Sequence, residues 1–159
     1  MVFLFFACEE WYEPETDYSP ILITRTELEN SISFTDKNVP LQNLGKIYSY
    51  GKYLLISERY KGVHIFDNEN PASPRKLGFI RILGSVDIAV KDGILYADNA
   101  VDLVAIDITN FNNLKVTQRI KYHFPELTPP DNRRVPNAYL PENRPENTII
   151  VAWEKKSLD

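Results

Sequence analysis

One cysteine, two histidines and two similarly placed Asp–Asn pairs are the residues here whose types and spacing could do chemistry. Cys8 ends the run FFAC, with the small Ala7 before it and apolar residues before that. A lipoprotein signal peptidase needs that order. The side chain before the cysteine must be small, and the thiol then carries diacylglycerol through a thioether. On this reading residues 1–7 are a signal segment and the mature chain starts at Cys8. Phe5 stands where such motifs usually carry Leu, with Leu4 one place earlier, and no basic residues precede the apolar run. Met1 therefore reads as an internal or misassigned start, with a Lys-rich opening upstream. Two or more acyl chains, at about 0.8 kcal/mol per buried methylene, would hold the protein firmly to a bilayer. The competing reading is a free cysteine in a buried N-terminal strand.

Asp67 and Asn70 recur 40 residues later as Asp107 and Asn110. A repeated cation site is one reading. No ladder of alternating carboxylates accompanies them, so turn caps that bond backbone N–H groups are the better expectation. His64 and His123 would need to meet a carboxylate to act as zinc ligands or bases. His64 sits inside an alternating strand and His123 beside a proline-rich stretch, so packing and surface roles are expected. The aromatic residues Tyr48, Tyr50, Tyr53, Tyr60, Phe66 and Tyr96 could stack on glycans, but core packing explains most of them. Trp11 and Tyr12 are harder to place in a core and fit a membrane headgroup zone or a partner. The chain contains no P-loop, GxGxxG, HExxH, GxSxG or CxxC motif.

The totals narrow the classes. The chain of 159 residues is 43% hydrophobic and 25% charged, which is a globular composition suited to one domain. A net charge of −4, with only scattered Lys and Arg, argues against a nucleic-acid surface. A single cysteine excludes an intrachain disulfide and a cysteine-based zinc cluster. No apolar run approaches the roughly 20 residues of a membrane-spanning helix, so membrane association would come from an anchor.

These residues are positioned by what looks like a repeat of strands. Residues 8–25 are acidic, aromatic and broken by Pro14 and Pro20, and read as an extended tether. Thr26 and Glu29 have capping-box spacing, which predicts a short helix near 26–32 within a lead-in over 26–44. From Gly45 onward, β-branched and aromatic residues come in short runs bounded by turn residues, the pattern of strands. Asp92–Gly93 is a hairpin signal, and Tyr50–Gly51–Lys52 and Gly62 mark further turns. Ile47 and Leu54 find counterparts 41 residues on, in Ile88 and Leu95. Ile65, Phe66, Asp67, Asn70, Arg75 and Ile80 find theirs 40 residues on, in Ala105, Ile106, Asp107, Asn110, Lys115 and Ile120. Val63 and Ile65 should share one strand face, and His64 and Phe66 the other. LVAIDI is apolar on both faces and should be covered on both sides.

The expected fold is all-β, with four-stranded antiparallel units of about 40 residues, the size of a β-propeller blade. Residues 45–83 and 84–123 are the two full units. Residues 124–146 hold six of the eleven prolines and read as a loop, and 147–159 begin a further unit.

The core VHIFD (Val63–Asp67) followed by Asn70–Pro71, and its copy LVAID (Leu103–Asp107), resemble the LVIVD-repeat lipoproteins of the Bacteroidota. Asn110–Phe111 departs from the family's Asn-Pro loop. The resemblance covers roughly residues 24–156. It implies a β-propeller and a lipid-anchored envelope location, and it implies little about activity. In such lipoproteins, acidic residues just after the cysteine resemble the signal for export to the outer leaflet of the outer membrane. Glu9 and Glu10 occupy those positions, although an ordinary acidic tether would look the same.

Propellers have typically four to eight blades. The residues after Gly45 make fewer than three, so a fragment of a longer protein, or completion by self-association, is expected. The expected function is a non-catalytic, lipid-anchored outer-membrane or cell-surface module for binding or assembly, without cofactor, metal or nucleic acid. Its partners would be other envelope proteins, glycans or its own copies. The alternatives are a piece of a propeller enzyme acting on glycans and a truncated, non-functional gene product.

Overall fold

The computed structural model describes residues 15–157. In chain order these form β1 (Tyr18–Thr24), α1 (Arg25–Glu29), β2 (Ser33–Thr35), β3 (Leu44–Tyr50), β4 (Tyr53–Glu58), β5 (Gly62–Asp67), β6 (Arg75–Arg81), β7 (Ile88–Lys91), β8 (Ile94–Asn99), β9 (Asp102–Asp107), β10 (Lys115–Ile120) and β11 (Thr148–Lys155). Every strand pairing is antiparallel, and the strands make three sheets in the orders β2-β6-β5-β4-β3, β10-β9-β8-β7 and β1-β11. The protein is therefore all-β.

The two repeats become two four-stranded meanders, β3–β6 and β7–β10, with β2 added at the β6 edge of the first. Their turns follow local chemistry. Asp92 and Gly93 both take positive φ, 50° and 79°, as a tight two-residue hairpin between β7 and β8 requires. Gly62 opens β5 at φ 140°, where a Cβ would lie 2.0 Å from the Ile80 carbonyl oxygen, so only glycine fits.

Strand alternation sorts each meander into two faces. In the first, Tyr48, Leu55, Val63, Ile65 and Ile80 share one face, here termed the front. Ile47, Ile56, His64 and Phe79 share the back. In the second, Ile88, Val90, Leu95, Val104 and Ile106 line the back. The front of the first packs on the back of the second to form one buried core containing Leu55, Val63, Ile65, Ile80, Ile88, Leu95, Val104 and Ile106. At one end of this seam the Tyr48 hydroxyl donates to the Val90 carbonyl at 2.9 Å.

Two expectations shift. The capping box is Thr24–Glu27, and the helix runs over Arg25–Glu29 rather than 26–32. Thr24 Oγ1 accepts from the Glu27 N–H at 3.2 Å, and Glu27 Oε2 accepts from the Thr24 N–H at 2.7 Å. Thr-x-x-Glu occurs twice in overlap, and the end of β1 at Thr24 selects the first. Glu29 is drawn instead to Arg25 and Lys121.

The second shift concerns the tether. Residues 18–24 are strand β1, paired along their length with β11. Pro20 is tolerated because this is a two-stranded sheet with open edges. Strand β11 itself lies where NTIIVAWEKK predicts it. Ile149 and Val151 on β11 pack with Leu28, Ala100 and Val101, so this sheet sits against the β8–β9 turn. The proline-rich loop is tied to it: Trp153 Nε1 donates to the Leu127 carbonyl at 2.9 Å, and Asp131 accepts from Thr16 Oγ1 at 2.8 Å.

Candidate functional site

Continued alternation makes Ala89, Tyr96, Ala105 and Gln118 one cross-strand row on the front of the β7–β10 sheet. Asp98, Leu103 and Ile120 form the next row. Among the described residues, no sheet lies over these rows. Tyr96 is 40% exposed and Ile120 43%, and Phe124 is exposed at the margin. Val86, Ala89, Tyr96, Leu103 and Phe124 line a shallow groove of about 310 Å³. Its one central charge is already engaged. Asp98 accepts from the backbone N–H groups of Val86 (2.9 Å) and Asp87 (2.8 Å). Burial pushes this carboxyl above its ordinary range, against the pull of those bonds. The groove offers apolar contact, one aromatic hydroxyl and two carboxylates, Asp98 bonded to backbone N–H groups and Asp87 paired with Lys46 at 3.0 Å.

The repeated polar residues cap turns. Asp67 Oδ1 accepts from the Glu69 N–H at 3.1 Å, and Asp107 Oδ1 from the Thr109 N–H at 2.9 Å. Asn70 Oδ1 accepts from the Ala72 N–H at 3.1 Å, and Asn110 Oδ1 from the Asn112 N–H at 3.0 Å. Both carboxyls are held below their ordinary range, Asp67 chiefly by the Glu69 N–H and Asp107 chiefly by Thr109. Oxygens spent on adjacent N–H groups are poor cation ligands. Among the described residues, no cluster of three or more His, Cys, Asp or Glu side chains could hold a metal. Asn70→Ala and Asn110→Ala should each cost about 0.5–1 kcal/mol in urea unfolding, the value of one such bond. Calcium should leave the midpoint of the unaltered chain where it was.

Cys8, Glu9 and Glu10 lie outside the described residues. His123 stands edge-on to the Phe124 ring, with 4.6 Å between ring centroids. His64 does meet one. It is fully buried on the back of the first sheet, and its Nε2 lies 3.1 Å from Glu58 Oε2. Burial dominates and lowers the His64 pKa, so the ring is neutral near pH 7 and Nε2–H donates to the carboxylate. Nδ1 is then a buried acceptor without a partner.

Glu58 also accepts from the Gln42 N–H (3.1 Å) and the Asn43 N–H (2.6 Å). Burial raises its pKa, but these bonds together outweigh burial and leave it lowered. Lys76 Nζ donates to the Val39 carbonyl, and Lys61 Nζ to Gln42 Oε1 at 2.7 Å. Residues 36–43 are thereby strapped across the back of the first sheet.

A second polar cluster joins α1 to the β7–β10 sheet. Asp102 is fully buried and accepts from both terminal guanidinium nitrogens of Arg25, at 2.9 and 2.5 Å. It also accepts from Arg119 Nη1 at 2.6 Å and the Tyr122 N–H at 3.1 Å. Burial would raise its pKa, but these bonds outweigh burial and lower it. Sequence reasoning missed both Glu58 and Asp102. The available signal was that Glu58 and its repeat counterpart Asn99 are polar at the same strand end. Apart from His64 Nδ1, the polar atoms of both clusters are engaged in holding backbone and helix.

Among the described residues, no helix is long and apolar enough to cross a membrane. A scan against models of known protein families, a search of curated proteins and a search of solved structures each found no match.

Proposed function

We propose that this chain is a non-catalytic, lipid-anchored envelope protein whose sheet repeats serve as a binding or assembly module. The open apolar front of the β7–β10 sheet carries the reading. A four-stranded sheet with one buried face and one uncovered apolar face is suited to contact, because covering it removes apolar area from water at about 25 cal/mol per Å². The acidic clusters described above fit this reading, since each carboxylate is committed to structural bonds. We read the two meanders as propeller-like blades of an incomplete propeller, stacked front to back. The anchor rests on the sequence around Cys8, with Glu9 and Glu10 as the export signal and the outer membrane as the destination.

The test is metabolic labelling. Cells expressing the protein should incorporate labelled palmitate into it, and Cys8→Ser should abolish the label. Label that persists in the variant removes the anchor. Glu9→Lys with Glu10→Lys should move the labelled protein from the protease-accessible cell surface to a protected location.

A further inference from the structure

We propose that the front of the β7–β10 sheet is a homodimer interface, covered by the same face of a second copy across a two-fold axis. This names the partner for the assembly reading above and rests on it.

The internal repeat indicates what covers this face. At the repeat spacings, Tyr48 and Leu55 correspond to Ala89 and Tyr96, and Val63 and Ile80 to Leu103 and Ile120. In the first repeat these positions lie under a four-stranded sheet of the same kind, with Leu55, Val63 and Ile80 wholly buried. In the second repeat no described sheet lies over them: Ala89, Tyr96 and Ile120 are exposed and Leu103 is half-buried. The third sheet does not reach them, because its apolar residues are spent on Leu28, Ala100 and Val101 at the β8–β9 turn. Strand β9 is apolar on both faces and has only its back fully covered.

The two ends of the stack are built differently. At the back of the first sheet, Glu58, His64 and Lys76 stand where the second repeat has Asn99, Val104 and Val116. Those polar residues hold the strap over 36–43 across the Glu58 and Lys76 side of that face, while Ile47 at the β3 edge stays exposed. Among the described residues, no such strap crosses the front of the second sheet. Repeating the intramolecular front-to-back contact between copies would require stripping the strap from Glu58. Front-to-front contact leaves both straps in place and uses one self-complementary patch, as a two-fold dimer requires. The partner's Tyr96 would enter the groove between Ala89, Leu103 and Phe124, an aromatic anchor in an apolar recess. Asp98 is already bonded to two backbone N–H groups and Asp87 is paired with Lys46, so neither carboxylate of the groove is trapped unpaired.

Sedimentation of the full chain carrying Cys8→Ser, which removes the lipid, tests this. The expected result is a concentration-dependent dimer and nothing larger. Tyr96→Lys should weaken it about 30-fold or more, as loss of a central aromatic does. Ile120→Lys should act in the same direction from the opposite edge of the face. Both positions are exposed, so urea midpoints taken at protein concentrations where the parent is monomeric should match and separate lost dimerisation from lost folding. Growth past the dimer, or a dimer that survives both substitutions, overturns the proposal. So does a parent chain that stays monomeric. In the monomeric case, a palmitate-labelled membrane complex lost with Tyr96→Lys would leave the assembly reading standing with a different partner. A membrane state indifferent to Tyr96→Lys would remove both.

Discussion

Asp102→Ala will cost the fold about 3–4 kcal/mol, the usual penalty for removing one side of a buried ion pair. Asp102 has no exposed surface, and the side chains of its partners Arg25 and Arg119 are only 15% and 12% exposed. Without the carboxylate, two guanidinium groups face each other in a space with little water, and the Tyr122 N–H loses its acceptor. The loss is a large share of the ~5–15 kcal/mol that holds a domain of this kind together. It should appear in urea unfolding as a lower midpoint with an unchanged slope. The double variant Asp102→Ala, Arg119→Met should recover part of it, because the stranded charge is half removed. A single variant within about 1 kcal/mol of the parent would show that water already screens the cluster. The carboxyl pKa is lowered in the fold, so its contribution is present above the ordinary value of 3.8 and is lost as pH falls through the folded value.

Glu58→Ala will have the next largest effect, about 3 kcal/mol, because it leaves one buried donor and two partly buried backbone N–H groups without an acceptor. The N–H groups of Gln42 and Asn43 and the Nε2–H of His64 all depend on that carboxylate. The strap over 36–43 should loosen first. Amide exchange there should accelerate far more than in β7–β10, and protease should cut there before anywhere else among residues 15–157. Equal acceleration throughout would mean the carboxylate stabilises the sheet and not the strap.

The same pair predicts how acid acts. The folded His64 pKa lies below its ordinary 6.5, so below that pH the unfolded chain binds a proton that the folded chain refuses. Stability therefore falls from pH 6.5 downward and levels off at the folded value. Protonation would place a charge on a buried ring beside Lys76 and give Nδ1 a hydrogen with no acceptor. Glu58, lowered from 4.5, adds a further loss of the same sign at more acid pH. His64→Leu should flatten the upper part of the profile while leaving the lower part.

Much of the sheet architecture was legible because it is local. The period-2 alternation in Val63–Phe66 gave the two faces correctly, and Asp92–Gly93 marked its hairpin. The Asp–Asn pairs were legible as turn caps because each carboxylate or amide bonds an N–H two residues away. The capping box was seen in type but misplaced by two residues, since two overlapping copies compete and only the end of β1 decides between them. The apolar front of the second repeat was visible as a strand apolar on both faces. Its lack of a cover was not, because that depends on where the third sheet goes.

What the sequence by itself determined is the repeat, its strands and turns, and the residues that cap them. Their causes act within a few positions along the chain, where side-chain pattern and backbone preference are enough. Only the tertiary structure decided that residues 18–24 pair with residues 148–155, that Arg25 reaches Asp102, and that Glu58 holds a strap across one end of the stack. Those contacts join positions with many apolar or charged candidates to choose from. The choice is made by burial, which depends on how whole sheets pack and so is set by the fold as a unit.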